Sequence, residues 1–140
     1  MRKLQIVPLS KMEEMRKYFY EYLTELSQFD PDIKFDEKGV PIYNWFDCYW
    51  EDKDRYPFYL IIDNQIAGLA MIRELGNMLY EIAEFYVCPE FRRDGNAIWF
   101  AKELTELFEE YSSRMKLLST PSLQLSPMKM ARSILRRTSS

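Results

Sequence analysis

Histidine is missing altogether from the 140 residues, and cysteine occurs only twice, at Cys48 and Cys88. Without an imidazole there is no Ser-His or Cys-His catalytic pair and no histidine-containing zinc site, and the two thiols have no metal-ligand or redox spacing. Long apolar runs are lacking too. None approaches the roughly 20 residues needed to cross a bilayer, and the opening Met1-Arg-Lys-Leu-Gln-Ile has no secretory apolar stretch. These absences point to a soluble, cytoplasmic chain that holds no metal. Glycine is scarce, with four in all, and three of them, Gly39, Gly76 and Gly95, fall in turn or loop segments. Acidic residues are absent from one region only. Residues 112–140 contain six basic residues, eight serines, no acid and no aromatic, for a charge of +6, whereas residues 1–111 carry −9. We therefore read 1–111 as the folded core and 112–140 as a basic, serine-rich tail.

What is present in the core reads as an ordered succession of elements. Leu4-Gln-Ile-Val-Pro-Leu predicts a first strand. Ser10 and Glu13 have capping-box spacing, and Met12, Met15, Phe19, Tyr22/Leu23 and Leu26 repeat at helical intervals through about Gln28. Pro31, Gly39 and Pro41 punctuate a loop, and the aromatic-rich Tyr43–Glu51 predicts a second short helix lying over the core. Pro57–Ile62 and Ile66–Leu75 are β-rich runs separated by Asp63-Asn-Gln, and Gly76-Asn77 turns the chain into a third strand, Met78–Val87. From Gly95 to Tyr111, Ala97, Phe100/Ala101, Leu104, Leu107/Phe108 and Tyr111 form one apolar helix face.

The junction between the third of those strands and the last helix is the most informative segment. Glu81-Ile-Ala-Glu-Phe-Tyr-Val is followed by Cys88-Pro-Glu, then by Phe91-Arg-Arg-Asp-Gly-Asn-Ala. A strand that leads through a basic, glycine-containing loop into a helix N-terminus presents backbone N–H groups to an anion such as a pyrophosphate. The segment is not a P-loop, since no Gly-Lys-Ser/Thr follows, and it lacks the first two glycines of a dinucleotide fingerprint. Arg92-x-x-Gly95-x-Ala97, with the preceding strand and Pro-Glu turn, resembles the acyl-CoA-binding motif of the GNAT acetyltransferase superfamily, Arg/Gln-x-x-Gly-x-Gly/Ala. The element order β-α-α-β-β-β-α resembles the N-terminal half of that α+β fold, a mainly antiparallel mixed sheet flanked by helices. The resemblance spans roughly Leu4 to Tyr111.

This resemblance implies an acyl-CoA-dependent N-acetyltransferase that uses acetyl-CoA as co-substrate. It implies that the N–H groups of Arg93, Asp94, Gly95, Asn96, Ala97 and Ile98 cradle the pyrophosphate, with Arg92 and Arg93 adding positive charge. It also implies that Phe85, Tyr86 and Val87 pair with the pantetheine arm in a β-addition mode, and that a backbone N–H near Phe85 or Tyr86 meets the oxyanion. Glu81 and Glu84 are the candidate bases. Their spacing places them on opposite faces of a regular strand, so only a bulge brings both to one cleft. The thiolate's acid has no occupant after Tyr111, which leaves Tyr86, Tyr59 and Tyr43 as candidates. The cysteines read as core or turn residues.

The C-terminal half of such a fold is expected to be incomplete in residues 112–140. Arg114–Ser119 allows a strand and Met128–Arg137 a basic helix. A shifted reading frame through Pro127-Met-Lys-Met-Ala also accounts for the change in composition. An alternative function is therefore a catalytically incomplete CoA-binding or interaction domain. A nucleic-acid partner is disfavoured, because the acidic body opposes it and the tail has no stacking aromatic. A small-molecule or peptide amine is the expected substrate. No membrane is expected as a partner, and an unfilled sheet edge leaves a homodimer open.

Overall fold

In the strand run Tyr56-Pro-Phe-Tyr-Leu-Ile61, alternation sends Tyr56, Phe58 and Leu60 to one side of a sheet and Tyr59 and Ile61 to the other. All five are buried, so both faces of the sheet must be covered. The computed structural model describes residues 1–116 and shows how this is done. Strands β1 (Arg2–Ile6), β2 (Arg55–Ile62), β3 (Gln65–Gly76) and β4 (Leu79–Val87) form one sheet in that order, each pair antiparallel. Helices α1 (Met12–Leu26) and α2 (Cys48–Glu51) cover one face, and α3 (Asn96–Lys116) covers the other.

The two faces are packed differently. Under α3, Phe100, Leu104, Leu107, Phe108, Tyr111 and Met115 meet Tyr56, Phe58, Leu60, Ala70 and Ile72. Under α1, Met15, Phe19 and Leu23 meet Tyr59, Leu69 and Met71, with Phe46 and Tyr49 closing the side. Burial of these aliphatic and aromatic groups at about 1.5–3 kcal/mol per side chain is the main force holding helices to sheet.

Both hairpins close with two-residue loops whose central residues have positive φ: Asp63 (49°) and Asn64 (66°), then Asn77 (50°) and Met78 (61°). That geometry matches the strands' twist and suits Asp and Asn. Methionine adopts it less readily, and Met78 offsets the strain by packing against the α3-side core. Gly68 in β3 is fixed by close approach: a Cβ there would lie 2.4 Å from the backbone carbonyl oxygen of Tyr86 in β4.

Several sequence expectations need correction at the element ends. Ser10 caps nothing: a single 3-10 turn, Leu9–Lys11, precedes α1, whose N-cap position is Lys11 and carries no side-chain cap bond. The second helix shrinks to Cys48–Glu51, because the preceding aromatics are held by packing, with Phe46 against Phe19 and Trp50. Helix α3 runs past Tyr111 to Lys116, so Arg114–Lys116 do not begin a strand. Met115 extends the buried stripe and Arg114 pairs with Glu110 one turn back. The readings of residues 117–140 lie outside the described residues. Among the described residues no helix is long and apolar enough to cross a membrane.

Candidate active site

One irregularity in β4 organises the site. The register pairs Met71 with Glu84 but Ile72 with Ile82, so Ala83 is an extra residue, a β-bulge. Alternation restarts across it. Tyr86 and Glu84 point to the α1 face, and after the bulge Glu81 does too. Both carboxylates therefore line one polar cleft of about 320 Å³, together with Tyr43, Trp45, Tyr49, Arg55 and Arg73.

The two carboxylates differ in environment. Glu81 is paired with Arg73, its cross-strand neighbour, at the half-exposed rim. Glu84 lies deeper. Its carboxylate accepts hydrogen bonds from the hydroxyl of Tyr22 on α1 and, at 3.4 Å, from that of Tyr43. Burial pushes the Glu84 carboxyl above the usual glutamate range, and the two hydroxyls pull only partly against it. The same burial, with the neighbouring carboxylate, holds both tyrosines above the usual phenol range.

A second cleft, about 390 Å³ and largely apolar, runs between the end of α1 and the β4 edge. Tyr22, Glu25, Leu26 and Phe29 form one wall, and Phe85, Tyr86, Val87, Arg92 and Ala97 the other. Among the described strands β4 is an edge. The Cys88 N–H donates to the Ala67 carbonyl and the Tyr86 carbonyl faces Gly68, so the polar groups of Phe85 and Val87 point outward. Of the two N–H groups named as oxyanion donors, Tyr86 is therefore turned into the sheet and Phe85 faces the cleft, beside the Tyr22 hydroxyl.

The loop into α3 has the backbone of an anion nest. Asp94 and Gly95 lie at φ 63° and 70°, and a Cβ on Gly95 would meet no described atom within 4 Å. Glycine is favoured here by the backbone and by open access, not by packing. The N–H groups of Arg93, Asp94, Gly95, Ala97 and Ile98 make no backbone hydrogen bond among the described residues, whereas that of Asn96 reaches the Arg93 carbonyl at 3.4 Å. Buried Asn96 braces the loop, its amide donating to the Phe91 carbonyl at 2.8 Å. Arg2 donates to the Asp94 carbonyl and lies over Trp99. These donors fit a pyrophosphate group at a helix N-terminus.

The two arginines of the loop separate. Arg93 is exposed and forms no ion pair with a described residue. Arg92 turns back instead: it donates to the Val87 carbonyl (2.7 Å) and to Glu25 (2.7 Å), with its guanidinium over Tyr86. Ile98 is exposed beyond the loop. Of the candidate acids, Tyr59 donates to Glu14 and lines neither cleft, Tyr86 lines the apolar cleft and Tyr43 the polar one. Sequence reading missed Tyr22, which lines the apolar cleft while bonding Glu84, because its helical spacing looked like core. It also missed the facing pair Arg55 and Arg73, whose partnership depends on strand register. Cys88 is buried, its thiol pushed up to about 11, and has no part in either cleft.

Comparison with known proteins bears on the fold and the family. No curated protein matched in sequence. Among solved structures, the ribosomal-protein-alanine N-acetyltransferase of Brucella melitensis biovar Abortus 2308 superposes with a TM-score of 0.60 at 15% identity, over 79% of this chain and 73% of that one. An acetyltransferase from Vibrio fischeri gives 0.55 at 18%, over 78% and 88%. A GNAT-family acetyltransferase from Staphylococcus aureus Mu50 gives 0.55 at 13%, over 79% and 68%. At these identities the likeness is one of fold. The sequence model of the acetyltransferase (GNAT) family matches residues 13–121, well over half of the chain, and this chain belongs to that family.

Proposed function

We propose that the protein transfers acetyl from acetyl-CoA to a primary amine by direct attack, as a cytoplasmic N-acetyltransferase. The observation that carries this reading is Glu84, a desolvated carboxylate that lines the polar cleft and accepts a hydrogen bond from Tyr22, which lines the apolar one. Acetyl-CoA supplies the activated carbonyl. The loop N–H groups of Arg93, Asp94, Gly95, Ala97 and Ile98 hold its pyrophosphate, and the outward Phe85 carbonyl and Val87 N–H align the arm.

Glu84 is the base for the amine. Its raised pKa brings its basicity nearer to that of the group it deprotonates. The Phe85 N–H offers the donor for negative charge on the carbonyl oxygen. As the N–C bond forms and the C–S bond breaks, one proton must pass from nitrogen to sulfur. Tyr22 connects the two sides: Glu84 takes the amine proton while Tyr22 gives its own to the thiolate and recovers one from Glu84. The raised phenol pKa makes Tyr22 a poor acid alone, so the two transfers have to be coupled.

A second reading, a CoA-binding domain without turnover, is favoured by one contact. The Val87 carbonyl is already occupied by Arg92. Release of free CoA thiol from acetyl-CoA, measured with a panel of primary amines, separates the two. Thiol release that depends on amine and is lost in Glu84→Gln supports transfer. Acetyl-CoA binding with no release above the blank for any amine supports the second reading.

A further inference from the structure

Arg55 and Arg73 are direct cross-strand partners on β2 and β3. Like charges in that relation oppose folding. Their compensation is incomplete. Arg73 is held by Glu81, and Arg55 stacks over Tyr49 and Trp45 at 5.3 and 5.9 Å, with the Asp52 carboxylate 3.3 Å from its Nε. Yet the Nε of both arginines is buried with no acceptor in hydrogen-bond geometry among the described residues. Those sealed atoms show that the pair is not fully compensated from within the protein, and two adjacent guanidinium groups concentrate positive charge that an anion in the cleft offsets. Both side chains line the same polar cleft as Glu84.

We propose that Arg55 and Arg73 form an anion subsite for the acceptor, so that the amine acetylated here carries its own carboxylate a few bonds from the nitrogen. This rests on the transferase reading, and it gives that reading a substrate class. The cleft then matches a zwitterion, with the ammonium toward Glu84, the carboxylate toward the two guanidinium groups, and Tyr43, Tyr49 and Trp45 as an aromatic wall. A planar, bidentate guanidinium suits a carboxylate, and two facing ones suit it better than a neutral amide. The acidic charge of the body as a whole favours a cationic amine, but at contact distance the local pair of arginines decides the matter.

The test pairs L-phenylalanine with L-phenylalaninamide, which differ only in that carboxylate. Affinity for the CoA-saturated protein, which cannot turn over, is measured by calorimetry, and CoA release from acetyl-CoA is measured separately. Binding of the acid at least about tenfold tighter than the amide, with the preference lost in Arg55→Gln, is expected. Unaltered melting of that variant shows that it remains folded, and Arg55→Lys should keep part of the preference. Equal affinity for acid and amide, binding of neither, or an undiminished preference in Arg55→Gln overturns the subsite. Selective binding without any CoA release upholds the subsite and counts against the transferase reading instead.

Discussion

Glu84 shows how one residue's environment ties stability to chemistry. Its carboxyl is pushed up by burial, so in the folded state it binds its proton more tightly than in the unfolded chain. The stabilising contribution is therefore present below the ordinary glutamate value of 4.5 and is lost as pH rises through the folded pKa. At neutral pH the charged form strains the fold. Glu84→Gln should accordingly melt higher than the parent at pH 7, with the gap closing in acid, while losing about 10²–10⁴ in turnover. Paired melting curves at pH 7 and pH 4 check the first part. Glu81→Gln, which removes only a rim ion pair, should move melting by less than about 1 kcal/mol. Tyr43 donates to Glu84 and so lowers its pKa. Tyr43→Phe should shift the acid limb of the pH–rate profile upward and keep the high-pH plateau. An unshifted limb would mean another group titrates there.

At the scale of elements, the β4 bulge and the close β3–β4 contact place the site. Gly68→Ala drives a Cβ into the Tyr86 carbonyl, a backbone atom that cannot step aside. We expect a loss of about 1–3 kcal/mol in denaturant unfolding, together with weaker acetyl-CoA binding, since the Phe85–Val87 edge must move. Much of this level was legible beforehand. The hairpins follow from Asp63-Asn64 and Gly76-Asn77, α1 and α3 from their apolar stripes, and the loop from Arg92–Ala97. The bulge was required by the Glu81–Glu84 spacing if both were to meet, but nothing local in Ile82-Ala83 announces it, because it is fixed by pairing with Met71 and Ile72. Tyr22 and the Arg55–Arg73 pair escaped for the same reason. Their partners lie across the fold, Tyr22 with Glu84 and Arg55 with Arg73, where periodicity carries no information. Arg92 went astray differently. The motif indicates where its backbone sits, whereas Glu25 and the Val87 carbonyl decide where its side chain goes.

For the whole molecule, the proposed function requires that the loop entering α3 hold the pyrophosphate of acetyl-CoA and so position a thioester beside Glu84. A negatively charged body, −9 over residues 1–111, gives a polyanionic ligand no long-range help, so binding must come from local donors. Gly95 is the sharpest probe of them. An Asp there faces open space in the protein, but it meets φ 70° and puts a carboxylate where a phosphate would sit. The direct measurement is calorimetric titration of acetyl-CoA into the parent and into Gly95→Asp, with NAD as the control ligand and melting temperatures as the fold check. A pyrophosphate site in this loop requires saturable binding of acetyl-CoA to the parent, little or none of NAD, and loss of acetyl-CoA binding in a still-folded Gly95→Asp. Equal binding of acetyl-CoA by the two proteins, or of NAD and acetyl-CoA by the parent, would contradict it.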